Sequence, residues 1–80
     1  MHSKMAEQFT LETSTDETIK VRHLTHDHHY FFAVRNNEGR RLLGSGPTIG
    51  NTKASVPAVT LRDQARAFAE AEARKAELID

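Results

Sequence analysis

Four histidines lie close together in this chain, at His23, His26, His28 and His29. Asp27 stands among them, so imidazole and carboxylate groups that could ligate a metal ion occur side by side. Their spacing matches no common zinc pattern and the chain has no cysteine. We therefore expect no metal site, and His26, Asp27 and His28, at a hairpin tip, are weak candidates. The alternative is a hairpin that becomes more positive between about pH 7 and pH 5.5.

A second group is the glycine-rich stretch over residues 44–50, which invites comparison with phosphate-binding loops. A Walker loop ends in Gly-Lys-Ser or Gly-Lys-Thr and opens directly into a helix. Here Lys53 follows Asn51-Thr52, and the predicted helix begins well beyond it. The stretch also lacks the G-x-G-x-x-G spacing of dinucleotide-binding turns. We expect a connecting loop and no cofactor.

The third group combines positive charge with aromatic rings. Residues 28–35 read His-His-Tyr-Phe-Phe-Ala-Val-Arg, which places Tyr30 and Phe32 on one side of a strand and Phe31 on the other. A single helix can cover only one side of a small sheet, so Phe31 is left for water, a second copy or a ligand. We predict that Phe31 forms a partner-binding surface with four cations: Lys20, Arg22, Arg35 and Arg41.

Short strands followed by one helix must position these groups. Alternation of apolar and polar residues predicts four strand segments, at residues 7–13, 18–24, 29–35 and 40–43. A loop over 44–59 should follow the sheet of 7–43, and then a helix over 60–79 that Thr60 caps. The fold class is α+β: a three- or four-stranded antiparallel meander with the C-terminal helix packed on one face. The pattern leaves open whether 7–13 forms the fourth strand.

Turn lengths predict how these strands pair. A three-residue loop over 37–39 sets Arg35 opposite Arg41, on the side of the sheet away from the helix. Two arginines in that position repel one another unless an acidic group lies over them. A four-residue loop over 25–28, within the histidine cluster, sets Arg22 opposite Phe31, which places a cation over a ring. Both features indicate contact with an acidic partner.

Composition limits the class of protein. The length allows one domain, 1–80, with a small core, and we expect 1–6 to be a flexible leader. The absence of cysteine, and of an apolar run long enough for a signal peptide or a membrane span, favours a soluble cytoplasmic protein without a membrane partner. Lys plus Arg equals Asp plus Glu, 11 each, yet the net charge is −3 over 1–18, +5 over 19–62 and −2 over 63–80.

The outline of strands followed by one helix, with Leu43-Gly44-Ser45-Gly46 at the end of the third sheet strand, is similar to that of double-stranded-RNA-binding domains. It is also similar to the arm-binding domains of phage integrases, which are small sheet-based DNA readers. The likeness covers residues 18–69. The start of the predicted helix reads Thr60-Leu61-Arg62-Asp63 where the RNA-binding family has a lysine cluster, and no functional residue is carried over.

These residues assemble no nucleophile with a base, no carboxylate pair and no convincing metal set, so we do not expect an enzyme. The leading interpretation is a non-catalytic binding module whose basic and aromatic sheet face holds an acidic partner, either nucleic acid or an acidic protein surface. One alternative is a small inhibitor or adaptor of the kind that phages encode, docked as a homodimer on a larger host nucleoprotein complex. The other is the metal- or pH-responsive hairpin.

Overall fold

A computed structural model describes residues 8–80 of the chain. Its four strands form one antiparallel sheet in the order β1-β2-β3-β4, with β1 at Phe9–Ser14, β2 at Thr18–His23, β3 at His29–Asn37 and β4 at Arg40–Ile49. A 3-10 turn at Ala58–Leu61 leads into one α-helix, α1, at Arg62–Lys75. The predicted α+β meander with a C-terminal helix is confirmed, with 9–14 as the fourth strand. The predicted leader over 1–6 lies outside the described residues.

The helix covers one side of the sheet, which we call the inner face. Ala65, Ala69 and Ala73 are fully buried, and their small side chains let the helix lie close against the strands. They pack with the other buried apolar residues of the core, namely Phe9, Ile19, Val21, Tyr30, Phe32, Leu43 and Ile79. The opposite side is the outer face, and none of its described residues is buried.

The turn between β3 and β4 is one residue shorter than the pattern predicts. The two residues of Glu38-Gly39 both have positive φ, at 53° and 82°, as a type I′ turn requires. Arg35 therefore lies opposite Leu42 and not opposite Arg41. Leu43 is fully buried on the inner face, and Arg41 shares that side because side chains alternate along a strand. The prediction of two opposed arginines on the outer face is wrong.

The turn between β2 and β3 also differs from the prediction. The backbone N–H of His23 donates to the carbonyl of His28 over 2.8 Å, so the four-residue loop occupies 24–27 rather than 25–28. Pairing shifts by two residues, and Lys20 rather than Arg22 lies opposite Phe31. A shift of two keeps every side chain on its face. The faces predicted for β2 and β3 are therefore correct although the partners differ.

Residues 44–49, predicted as part of a loop, belong to β4. An irregularity in the pairing of β3 with β4 lies between Tyr30 and Phe32, and Gly46 allows it. A Cβ at Gly46 would come within 2.6 Å of the carbonyl oxygen of Phe31, so the close approach of the two backbones needs glycine. The connection between the sheet and the 3-10 turn is limited to 50–57.

The helix begins without the predicted side-chain cap. Thr60 lies inside the 3-10 turn, and the residue at the N-cap position of α1 is Leu61, which makes no capping hydrogen bond through its side chain. A 3-10 turn satisfies part of the backbone at a helix start by its own shorter hydrogen bonds. Within residues 8–80, no helix has the length and apolar character needed to cross a membrane.

The helix ends at Lys75, four residues before the predicted end. Glu77 has a φ of 59°, and the N–H of Leu78 donates to the carbonyl of Ala73 over 2.8 Å. This arrangement is a Schellman motif, which turns the chain sharply out of the helix. Ile79, predicted as the last helical residue, lies beyond that turn and is buried against the sheet.

Candidate functional site

Four of the five residues predicted to contact a partner share the outer face. Strand alternation and pairing place Lys20 and Arg22 on β2 and Phe31 and Arg35 on β3 there. The ammonium nitrogen of Lys20 lies 5.3 Å from the centroid of the Phe31 ring. The expected cation over a ring is therefore present, although Lys20 supplies it in place of Arg22.

Arg41 is the exception and lies on the side of the helix. Its guanidinium Nη1 donates to the carbonyl of Glu77 over 2.8 Å, and Nη2 lies 3.7 Å from the Asp80 carboxylate. Its backbone N–H also donates to that carboxylate over 2.8 Å. Arg41 thus fastens the segment after the helix to β4, and the predicted place for it on the outer face is corrected.

Arg40 takes the place predicted for Arg41. The two-residue turn puts Arg40 on the outer face beside Leu42, diagonally across from Arg35. The side chain of Arg35 extends across Gly44, in the space that a Cβ there would fill. Among residues 8–80, neither Arg35 nor Arg40 forms an ion pair. The sequence signal for this register is weak, because two-residue turns of this type favour Asn-Gly or Asp-Gly and the pair here is Glu-Gly.

The carboxylate of Glu12 contacts three basic side chains of the outer face, those of Lys20, Arg22 and His29. Glu12 is the extra residue of a bulge in β1, and its Oε1 lies 3.2 Å from Lys20 Nζ and 3.3 Å from His29 Nδ1. Its Oε2 accepts a hydrogen bond from Arg22 Nε over 3.1 Å. The ammonium group of Lys20 is the main cause that lowers the pKa of Glu12; loss of hydration opposes the shift, and Arg22 and His29 add to it.

A second carboxylate extends this cluster. Asp27 Oδ1 lies 3.4 Å from Arg22 Nη1 and 3.4 Å from His29 Nε2. The ring of His29 therefore stands between the carboxylates of Asp27 and Glu12, and only the imidazolium form can donate to both. We call Glu12, Lys20, Arg22, Asp27 and His29 the charged cluster. Two acids within it balance two permanent cations, so this part of the outer face is less positive than the sequence suggests.

Exposed aliphatic side chains also lie on the outer face. Leu42, opposite Arg35, is 40% exposed, and Ile49, opposite His29, is 57% exposed. Phe31 lies on β3 between His29, which is opposite Ile49, and Arg35, which is opposite Leu42. The outer face therefore combines an aromatic ring, exposed aliphatic side chains and arginines without acidic partners among the described residues.

On the inner side of the hairpin, three histidine rings form a stacked row. The ring centroids of His23 and His26 are 5.1 Å apart, and those of His26 and His28 are 6.0 Å apart. His28 is 1% exposed. Its Nδ1 accepts from the N–H of Asn51 over 2.9 Å, so Nε2 carries the proton and donates to the carbonyl of Val56 over 2.6 Å. His28 thus holds both ends of the 50–57 loop.

The three weak metal candidates have other roles in the structure. Both ring nitrogens of His28 bond to the loop backbone, His26 is stacked between two rings, and the Asp27 carboxylate belongs to the charged cluster. Residues 8–80 contain no group of three or more potential ligands that could hold a metal ion.

An open cleft of about 510 Å³ lies between the 50–57 loop and the start of β3, lined in part by His28, Asn51 and Ala58. The side-chain amide of Asn51 donates to the carbonyl of His26, and its oxygen accepts from the N–H of Lys53. The ring of His28 is bonded to the loop backbone through both nitrogens, so the side chains of His28 and Asn51 both serve the fold. A ligand would find few free groups to orient it.

Comparison with known proteins adds no functional information. No family model matches the chain. No curated protein matches it, and no solved structure matches it.

Proposed function

We propose that this chain is a non-catalytic binding module that holds an acidic protein partner on its outer face. One observation supports this most directly: Arg35 and Arg40 are exposed, have no ion-pair partner among residues 8–80 and flank the exposed Leu42. Arginines and aromatic residues beside apolar contacts are characteristic of the energetically important centre of protein interfaces.

The composition of the outer face favours a protein over a nucleic acid. Nucleic-acid interfaces are much more positively charged than protein interfaces, whereas Glu12 and Asp27 neutralise part of this surface. Leu42 and Ile49 add aliphatic area that phosphates would not contact. The whole chain also has a formal net charge of zero.

Fluorescence anisotropy with labelled probes tests the proposal. The first probe is a peptide that repeats Glu-Glu-Leu-Leu, so that each side of an extended strand carries both residue types. One side can then present acids to Arg35 and Arg40 and a leucine to Leu42. The others are the matched peptide with glutamine for glutamate, a single-stranded oligonucleotide and a duplex. We expect the glutamate peptide to bind most tightly and its affinity to fall with salt.

The double variant Arg35→Ala/Arg40→Ala should bind the glutamate peptide about tenfold or more weakly. Lys53→Ala/Lys75→Ala is the matched control, because it removes the same charge from exposed positions away from the outer face. Equal losses in both variants, or no peptide binding at all, would refute the proposal. Tighter binding of either oligonucleotide would identify a nucleic-acid partner instead.

A second copy of the chain is the other candidate occupant of this face, because Leu42 and Ile49 are both exposed on it. Light scattering of the free protein measures this directly. A mass of two chains that falls to one chain on Leu42→Glu would show that the outer face forms a homodimer. A single-chain mass leaves the face available for a different protein.

A further inference from the structure

Glu12 has an unusual position for a residue of the first strand. The bulge in β1 sets it outside the regular pairing of β1 with β2, and its carboxylate reaches across β2 to touch His29 on β3. Three nitrogen atoms surround it, those of Lys20, Arg22 and His29, at 3.2, 3.1 and 3.3 Å. This is the donor set expected for binding a carboxylate or a phosphate.

We propose that Lys20, Arg22 and His29 form a binding site for one carboxylate or phosphate group of the partner, and that Glu12 fills this site in the free protein. This inference rests on the proposed function, because it names the second anchor of the same partner on the outer face. Arg35 and Arg40 would hold the partner at the other end of the face, beyond Phe31.

The geometry supports an exchange of one anion for another. Glu12 is exposed and lies at an exposed edge of the sheet, so its side chain can swing away without disturbing the core. Lys20 is fixed by its contact with Phe31 and Arg22 by its second contact with Asp27. The cations therefore stay in place when Glu12 leaves, and an incoming anion would meet a site that is already organised.

A carboxylate on the same chain competes at a high effective concentration. An external anion must displace it, so the wild-type protein should bind small anions weakly at this site. Removing the negative charge of Glu12 should raise the affinity for a small anion by about tenfold or more. The affinity for the partner should also rise when the negative charge of Glu12 is removed. In the wild-type protein, only a partner that positions an acidic group at this site would displace Glu12.

The test is an NMR titration of three proteins, each with inorganic phosphate and with acetate. They are the wild type, Glu12→Gln and Glu17→Gln. Glu17 is exposed and forms no ion pair among the described residues, so its variant makes the same change in charge without touching the site. Backbone and side-chain signals of Lys20, Arg22 and His29 report binding.

In Glu12→Gln we expect these signals to saturate at anion concentrations at least about tenfold lower than in the other two proteins. A response to acetate as strong as that to phosphate would identify carboxylates as the natural ligand, and a response to phosphate alone would indicate a phosphorylated partner. Equal responses in all three proteins, or none in Glu12→Gln, would overturn the inference.

The outcome is separable from that of the proposed function. In one outcome the glutamate peptide binds in a manner that depends on Arg35 and Arg40, but Glu12→Gln does not bind phosphate or acetate. That outcome would refute only the anion site. Anion binding in Glu12→Gln without any peptide binding would leave the site standing and refute the proposed function.

Discussion

Glu38 adopts a backbone conformation that costs energy for most residues with a side chain. Its φ of 53° lies in the left-handed region, which asparagine tolerates better, and Asn-Gly is the preferred pair in type I′ turns. We expect Glu38→Asn to raise the free energy of unfolding by about 0.5 kcal/mol. Urea unfolding measures this. Glu38→Val should lower it, because a β-branched residue fits the left-handed region poorly; a more stable Val variant would contradict the turn assignment.

The ionisation of Glu12 provides a second test with a single group. Lys20 is the main cause of the lowered pKa of Glu12. Replacing the ammonium group in Lys20→Met should therefore raise the pKa of Glu12 toward its usual value. NMR titration of the side-chain carboxyl carbon measures it directly. Lys75→Met, which removes a distant charge from the helix, should leave it unchanged, and equal effects of the two variants would contradict the contact.

Among the elements, the 50–57 loop depends most on one side chain. His28 bonds to the backbone of Asn51 and of Val56, so removal of the ring takes away the partner of both backbone groups. His28→Ala should lower the local stability of the loop by about 2 kcal/mol, so its amides should exchange with solvent faster.

Hydrogen exchange by NMR measures this effect at the Asn51 amide. The matched control is His29→Ala, which removes the neighbouring imidazole from the outer face. The loop should exchange quickly in His28→Ala and at the wild-type rate in His29→Ala. Loop exchange that stays slow without the His28 ring would show that other contacts hold the segment.

Elements were easier to predict than their pairing. Alternation along β2 and β3 is enough to assign the inner and outer faces, because a side chain must point one way or the other. The register is set by the backbone conformations of Asp27 and Glu38, whose φ values are 56° and 53°. Compared with the predicted turns, the turn that contains Asp27 begins one residue earlier and the turn that contains Glu38 is one residue shorter. A residue with a side chain gives little sign that it will adopt that conformation, so both turns were misplaced.

The candidate site was predicted in part for the same reasons. Lys20, Arg22, Phe31 and Arg35 follow from alternation alone. Arg41 was exchanged for Arg40 because a one-residue change in register reverses the faces of β4. The role of Glu12 was missed, because it depends on a bulge that leaves no periodic pattern in the sequence.

The stability of the whole molecule should depend on pH through His23. Burial lowers the pKa of His23, and the neighbouring His26 and His28 lower it further. The unfolded chain therefore binds this proton more readily than the folded protein does. The contribution of neutral His23 to the free energy of unfolding is complete above the pKa of histidine in the unfolded chain, about 6.5. This contribution is lost as the pH falls from there toward the lower pKa of His23 in the folded protein.

Urea unfolding at a series of pH values should show this loss of stability on acidification. His23→Gln should flatten the dependence, since glutamine does not titrate and its amide oxygen can still accept the N–H bond that His26 donates to His23. His29→Gln, on the outer face, should retain the loss. An unchanged pH dependence in His23→Gln would exclude the buried ring as its cause.

His28 and His29 are neighbours in the chain, yet they meet opposite surroundings because a strand turns successive side chains to opposite sides. The ring of His28 faces inward, where it accepts from the N–H of Asn51 and donates to the carbonyl of Val56. The ring of His29 faces outward and lies within 3.4 Å of the Glu12 and Asp27 carboxylates. A slip of one residue in this strand would send each ring to the opposite face, so the loop and the two carboxylates would lose their partners together, and this pair of residues opposes such a slip.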